Sequence, residues 1–302
     1  MCQSPFRLTL VAILITAGLA TAPRAQAPST DIWLATLRVG DGKTGSIRVG
    51  EPKNVTRHAG YDNQPRFLPD ASGFLYVQGD SDRTEVYRYQ SASGRSTRVT
   101  YTPESEYSPT PIAGRNAGFY AVRVESDSTQ RLWRFESDGS KPRLFLAAVD
   151  SVGYFALLDD RTLALFVVGE PHTLRIVDLD TERETVVASD IGRALLRTPR
   201  AGLTFLLHEP GTDPPTYEFH TWSEHGILPT RLIAAHGAGQ DAAWIGDVLV
   251  MADGATLWSA RPFDRSEWTL LADLGTYGLT GITRIAVSHD RKWIAIVAAE
   301  SP

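Results

Sequence analysis

Two stretches of the sequence, PRFLPDASGFLYV at residues 65–77 and IAVSHDRKWIAIV at residues 285–297, decide the fold. Each has an apolar segment, a tight polar turn and a second apolar segment, so each predicts two antiparallel β-strands joined by a short loop. Weaker copies of this unit lie at residues 156–166, 197–207 and 243–251. A strand–turn–strand unit that recurs along a chain indicates a repeat architecture.

A second unit, a hairpin whose first strand is apolar and aromatic, alternates with the first unit. The first strands of this hairpin lie at residues 32–35, 86–89, 132–135, 174–177, 218–221 and 257–260, and the second strands at 53–56, 97–100, 143–146, 185–188, 230–234 and 268–272. Four strands per repeat of about 40–45 residues are typical of a β-propeller blade. No long segment has the i, i+3, i+4, i+7 apolar spacing of a helix, so we predict an all-β chain.

The two ends of the chain each supply half of a blade. Residues 31–58 contain only an outer hairpin, and residues 279–302 contain only an inner pair of strands. Pairing these halves completes a sixth blade and removes the exposed edges of an open sheet. The sequence therefore predicts a six-bladed β-propeller whose last blade is closed by N-terminal strands pairing with C-terminal strands.

The first 27 residues have the order of a secretory signal. Arg7 precedes an apolar run at residues 8–20, and Ala25-Gln26-Ala27 has the small-x-small pattern of a cleavage site. The apolar run is shorter than the roughly 20 residues that a membrane-spanning helix needs. We therefore predict a signal peptide at residues 1–27 and a single propeller domain at residues 28–302. The mature protein is expected to be exported, periplasmic or secreted, and not membrane-spanning.

Charge and cysteine content narrow the set of partners. The chain has a formal net charge of −5, and loss of residues 1–27 would remove Arg7 and Arg24, so the mature domain is more acidic still. An acidic surface argues against nucleic-acid binding. Cys2 is the only cysteine and lies in the signal segment, so no disulfide is expected. A closed ring has no free sheet edge that drives association, and we therefore expect a monomer.

The turns Leu68-Pro69-Asp70 and Ser288-His289-Asp290, each followed by an apolar strand, resemble the Ser-Pro-Asp-Gly-Lys turn of TolB-like propellers, a group related to WD-repeat proteins. The resemblance covers residues 31–302 and implies a propeller fold. It implies no single function, because similar propellers occur in periplasmic binding components, in peptidases and in sugar-processing enzymes. Beside the propeller, we expect neither an extra N-terminal domain nor a C-terminal hydrolase.

Linear motifs of catalysis are absent from the sequence. It contains neither a Gly-x-Ser-x-Gly elbow nor a His-Glu-x-x-His pair. We therefore predict no catalytic residues and no metal ligands, and a noncatalytic propeller that binds a periplasmic or cell-surface protein, a peptide or a small ligand at one face of its channel. The alternative is an enzyme, a lyase or hydrolase with a metal-assisted site at the channel mouth, since pocket residues gathered from several blades leave no linear motif.

Acidic residues precede several predicted innermost strands. Asp62 and Glu106 each stand three residues before a proline, and Asp150 and Asp241 fall at similar points of their blades. If one channel mouth gathers them, they form a ligand-binding rim of Asp62, Asn63, Glu106, Tyr107, Asp150 and Asp241, with Tyr61 beside it. Several carboxylates in one concavity favour a cationic group, such as a divalent cation, or a partner segment. The alternative is that these are solvated loop residues without a ligand.

Overall fold

The computed structural model describes residues 29–40, 46–79, 83–114, 117–224, 226 and 228–299. The predicted signal peptide at residues 1–27 lies outside these ranges. Apart from a 3₁₀ helix at Gly275–Tyr277, the regular elements are β-strands, which confirms the prediction of an all-β chain. Within the described ranges, no helix is long and apolar enough to span a bilayer.

The strands are numbered in chain order. The first seven are β1 (Thr30–Val39), β2 (Ile47–Val49), β3 (Lys53–Asn54), β4 (Tyr61–Phe67), β5 (Gly73–Gly79), β6 (Thr84–Gln90) and β7 (Arg95–Arg98). The next eight are β8 (Ser105–Pro111), β9 (Phe119–Val124), β10 (Gln130–Phe135), β11 (Arg143–Leu144), β12 (Val152–Leu157), β13 (Thr162–Val167), β14 (Thr173–Asp178) and β15 (Arg183–Ser189). The last ten are β16 (Ile191–Arg197), β17 (Leu203–His208), β18 (Tyr217–Trp222), β19 (Thr230–Ala234), β20 (Ala242–Ile245), β21 (Val248–Asp253), β22 (Thr256–Arg261), β23 (Arg265–Asp273), β24 (Arg284–Val287) and β25 (Trp293–Ala299).

Four of the sheets each contain four consecutive strands, β8–β11, β12–β15, β16–β19 and β20–β23. The remaining strands form one nine-stranded sheet with the path β24-β25-β1-β4-β5-β6-β7, in which β2 and β3 also pair with β1. A single parallel pair, Thr30 with Tyr61, joins β1 to β4. The predicted number of six blades depends on dividing the nine-stranded sheet at this pair.

The two ends of the described chain meet in one antiparallel ladder. Strand β1 pairs with β25 from Thr30 opposite Ala299 to Thr36 opposite Trp293. Strand β24 extends this group on the inner side, and β2 and β3 extend it on the outer side. The prediction that N-terminal and C-terminal strands close the ring is therefore confirmed.

The two stretches that decide the fold form the same turn. The Asp70 Oδ1 atom accepts a hydrogen bond from the backbone N–H two residues later at 3.0 Å, and the Asp290 Oδ1 atom does so at 3.1 Å. The residue after each aspartate, Ala71 or Arg291, has a positive φ, 57° and 59° respectively. Aspartate favours such turns because its carboxylate caps the backbone N–H two residues on.

The hydrophobic core lies between neighbouring sheets. The second strand of a sheet is the most buried, and in β13 every residue after Thr162 is buried. The fourth strand is the most exposed, and in β15 no residue is buried. One core cluster joins Val122 and Leu132 of one sheet to Leu163 and Leu165 of the next. Burial of this apolar surface holds the sheets together face to face, and the first strands are left to surround the channel.

Candidate ligand-binding channel

The first strands of the sheets surround a narrow central cavity of about 70 Å³. Strands β4, β8, β12, β16 and β24 line it, together with the start of β20 and the residue before it. The lining side chains that carry polar groups are Gln64, Arg66, Ser108, Thr110, Tyr154, Arg193, Asp241 and Arg284. The cavity therefore collects side chains from distant parts of the sequence.

Bulges in the innermost strands turn consecutive residues toward this cavity. The pairing of β4 with β5 shifts between Asn63 and Arg66, and Gln64 has a φ of 56°. Strand β16 has a similar shift between Ile191 and Leu195. A regular strand turns alternate residues to opposite faces, whereas a bulge locally re-aims them. As a result, Gln64 and Arg66, with the proline between them, all line the cavity.

Three arginines but one carboxylate face the cavity. The Arg284 Nη1 atom lies 3.3 Å from the Asp241 Oδ2 atom, and the Arg284 Nη2 atom donates a hydrogen bond to the Tyr154 hydroxyl at 2.9 Å. The Arg193 Nη2 atom donates to the backbone carbonyl of Thr283 at 2.7 Å. In the described ranges, Asp241 is the only acidic residue that lines this cavity.

Arg66 and Arg193 have no carboxylate partner in the described part of the chain. Arg66 is exposed to the channel, whereas Arg193 is half-buried. The Arg193 Nε atom is buried without a hydrogen-bond partner among the described residues. Burial lowers the pKa of both arginines and the nearby Arg284 cation lowers it further, while the Asp241 carboxylate has the opposite effect.

A neutral tyrosine and a buried acid complete the electrostatics. Burial raises the pKa of Tyr61 to about 12, so its hydroxyl stays protonated at physiological pH. Burial also raises the pKa of Asp241, an effect that the guanidinium groups of Arg284, Arg193 and Arg66 oppose. Because arginine does not lose its proton in proteins, the cavity has an excess of positive charge.

A wide funnel of about 730 Å³ opens from the cavity at the end where the innermost strands finish. It adjoins the cavity, since both are lined by Arg66, Thr110 and Leu195. Its walls are largely apolar and include Ile112, Leu157, Leu179, Leu196, Trp244 and Val287. Four acidic residues, Asp159, Asp160, Asp180 and Glu182, line it on one side.

The predicted rim is not assembled as expected. Asp62 and Glu106 lie inside β4 and β8, not before them, and both have 0% exposure. Their ladder partners are Gln78 and Arg123, because the bulges extend strand pairing upstream of each proline. Neither acid lines the cavity or the funnel, so a ligand-binding role for these two residues stays a prediction.

The two buried acids instead accept hydrogen bonds inside their blades. The Asp62 Oδ1 atom accepts a hydrogen bond from Gln78 Nε2 at 3.0 Å. The Glu106 Oε1 atom accepts bonds from Thr102 Oγ1 at 2.6 Å and from Arg123 Nε at 3.2 Å. Burial raises the pKa of Asp62 to about 6 and the pKa of Glu106 to about 7.

The other members of the predicted rim are dispersed. Asn63 is 4% exposed and donates a hydrogen bond from Nδ2 to Thr30 Oγ1 at 3.4 Å. Tyr107 packs against a hydrophobic cluster, and Asp150 is exposed and accepts a bond from the neighbouring serine. Asp241 alone lines the cavity, where it faces cations. In the described ranges, no group of three or more His, Cys, Asp and Glu side chains could hold a metal ion.

Sequence reasoning missed the three channel arginines. A signal was present, because each one lies in an innermost strand, where charged residues are uncommon unless they are paired. The prediction instead selected acids by their distance from the next proline. That distance is set by the bulge and does not report which residues face the channel.

No protein-family model and no curated protein matches the sequence. Solved structures do match. A protein assigned as TolB from Agrobacterium tumefaciens has a TM-score of 0.65 at 15% identity, with 91% of this chain and 99% of that chain covered. The chain has the fold of a TolB-like β-propeller.

Two further structures show how widely this fold is used. TolB from Acinetobacter baumannii has a TM-score of 0.54 at 10% identity, with 90% of this chain and 64% of that chain covered. A gluconolactonase from Xanthomonas campestris has a TM-score of 0.62 at 9% identity, with 92% and 99% covered. At these identities the likeness concerns the TolB-like fold alone, because one fold hosts both binding proteins and enzymes.

Proposed function

We propose that this chain is an exported, noncatalytic β-propeller that binds a protein, peptide or small ligand at the funnel face of its channel. The observation that carries the proposal is the funnel itself. Its volume of about 730 Å³ lies within the range of ligand sites in proteins, and its walls combine apolar side chains with charged groups that include four acids, Arg66 and Arg197. Export, to the periplasm or the exterior, is supported by the signal pattern at residues 1–27.

The closed ring supports ligand binding at the funnel. Its innermost strands are held by ladders on their outer side, so the funnel is preformed and a ligand has little ordering to impose. The sequence has no linear catalytic motif. The partner that we propose is a periplasmic or cell-surface protein or peptide, or a small ligand, and the protein is proposed to act as a monomer.

A ligand screen on a blocked funnel tests this function. Val287 lines the funnel at the end of β24, and a Val287→Trp substitution adds an indole to that wall. The matched control is Val186→Trp on β15, where the side chain is 55% exposed on an outer strand. Both proteins would be screened by thermal shift, and each ligand found would be titrated by calorimetry and recovered for mass spectrometry.

We expect ligands that bind the wild type and the Val186→Trp control, bind Val287→Trp at least tenfold more weakly, and are recovered unchanged. A ligand that is converted, with conversion lost on chelation, would replace the proposal with the metal-assisted lyase or hydrolase. Ligands that bind all three proteins equally would place recognition outside the funnel and overturn the proposal.

A further inference from the structure

The arginines at the narrow end of the channel are costly for the empty protein. Arg66 and Arg193 face the same cavity, and the single carboxylate, Asp241, is already ion-paired with Arg284 at 3.3 Å. Like charges that face one another across a narrow cavity repel and destabilise the protein that holds them, to an extent that solvent and salt reduce. An anion that enters the cavity would neutralise this repulsion, which would explain why the arginines are placed together.

The hydrogen-bond donors in the cavity are suited to an anion. The Arg193 Nε atom is buried and has no partner within the described ranges, although it carries a proton that it cannot lose. The Tyr154 hydroxyl accepts a bond from Arg284, which leaves its own proton for an acceptor. Guanidinium groups bind carboxylates and phosphates through paired N–H donors, so an oxyanion is the best-matched guest.

The size of the cavity limits what can enter it. A volume of about 70 Å³ has room for a few heavy atoms, such as a carboxylate or a phosphate group. The remainder of a ligand would extend into the adjoining funnel, whose walls include Leu196 and Trp244. The acids Asp160 and Glu182 near the wide end would repel an anion held there, so the charged group is oriented inward.

We propose that the narrow end of the channel, through Arg66, Arg193, Arg284 and Tyr154, binds the oxyanionic group of a ligand whose apolar body fills the funnel. The inference rests on the proposed ligand-binding function and names the chemical class of the ligand. It reverses the charge of the guest expected from the acidic residues of the sequence. Carboxylate and phosphate share the required chemistry, and the probes below distinguish them.

Three aromatic probes of similar size separate charge from shape. Benzoate and phenyl phosphate carry the anion, and benzamide is the neutral counterpart of benzoate. Calorimetric titration of the purified protein should show binding of benzoate or phenyl phosphate and at least tenfold weaker binding of benzamide, since hydrogen bonds between a guanidinium and a charged acceptor are stronger than those to a neutral amide. The stronger of the two anions identifies the group that the site prefers.

Two substitutions of opposite charge test the site itself. Arg66→Ala should weaken binding of the anionic probe about tenfold or more, whereas Asp241→Asn should strengthen it, because Asp241 is the one carboxylate among the described residues that lines the narrow cavity. The matched control is Arg183→Ala, at an exposed arginine on β15, which should leave binding unchanged. Circular dichroism and thermal unfolding without a probe would establish that each variant is folded.

The opposite signs separate anion binding from a structural effect. If Arg66→Ala and Asp241→Asn both weaken binding, or if benzamide binds as tightly as the anions, the inference is wrong. Failure of both anions to bind at about 10 mM also overturns it. The proposed function would still be supported if neutral ligands bind the wild type and fail to bind Val287→Trp. If an anion instead binds Val287→Trp as tightly as the wild type, the anion site is supported and the funnel is not the place where the rest of the ligand binds.

Discussion

Charged side chains are concentrated in two regions, the blade interiors, where Asp62 and Glu106 are fully buried, and the channel, where Arg66 is exposed and Arg193 half-buried. In the blade interiors, one oxygen of each acid accepts hydrogen bonds from its own sheet or the adjoining loop, whereas Asp62 Oδ2 and Glu106 Oε2 are buried without a partner among the described residues. In the channel, the cations outnumber the carboxylate that could neutralise them. Burial disfavours the ionised form of Asp62 and Glu106 and raises their pKa, whereas the channel arginines stay charged and outnumber the carboxylate beside them. The difference teaches that local hydrogen bonds can hold an enclosed acid, and that cations without carboxylate partners are available for binding.

The comparison predicts the largest stability loss in a blade interior. Glu106→Ala would leave Arg123, whose side chain is 7% exposed, without its nearest carboxylate, and should lower the free energy of unfolding by about 3–5 kcal/mol. The matched control is Glu104→Ala. Glu104 is 23% exposed and lies 3.8 Å from the same arginine, so its loss should cost about 1 kcal/mol or less. Urea unfolding at pH 8 measures both, and equal losses would contradict the comparison.

A smaller effect is expected from the pH dependence of Asp62. Its pKa rises to about 6 in the folded protein, so its protonated form is favoured and its contribution to stability falls as the pH rises from about 4 through 6. Between these limits the wild type should lose on the order of 2–3 kcal/mol relative to Asp62→Asn, which cannot ionise. Urea unfolding of both proteins across this range measures the difference.

Asp70→Asn is the control of opposite sign. Hydrogen bonds from Ser72 lower the pKa of Asp70, so its contribution is present at neutral pH and is lost as the pH falls. The stability advantage of the wild type over Asp70→Asn should therefore shrink on acidification. A parallel pH response of the Asp62 and Asp70 variants would show that burial of Asp62 does not control its titration.

The smallest effect is a gain in stability at the channel. Arg66→Gln removes one unpaired cation and should raise the free energy of unfolding of the ligand-free protein by about 1 kcal/mol at low ionic strength, with the gain declining as salt is added. Arg284→Gln breaks the ion pair with Asp241 and should lower stability instead. A loss of stability in both variants would remove the distinction between paired and unpaired channel arginines.

The fold could be predicted because its determinants are local or periodic. The alternation of apolar residues predicts the strands, and the aspartates at positions 70 and 290 predict equivalent turns, which the structure has. The half-blades at the two ends predict the pairing of β1 with β25. Each of these inferences uses only neighbouring residues or the need to pair an open sheet edge.

The site could not be predicted in the same way, because it depends on where strands depart from regular pairing. A bulge at Gln64 decides that Arg66 faces the cavity and that Asp62 faces the blade interior. A shift of one residue exchanges the two faces of a strand, and no residue pattern near Pro65 reports that shift. The sequence therefore identifies the acids but not the direction of their side chains, their role in ligand binding stays a prediction, and the arginines were overlooked.

The ladder between β1 and β25 also has a consequence for the order of folding. Strand β1 has no regular antiparallel partner on its inner side until β25, nearly the whole chain away, is available. Contacts between such distant segments are slow to form, because the intervening chain must be ordered first. We therefore expect ring closure to be the last and rate-limiting event, so that the channel acquires its binding geometry in a single late step.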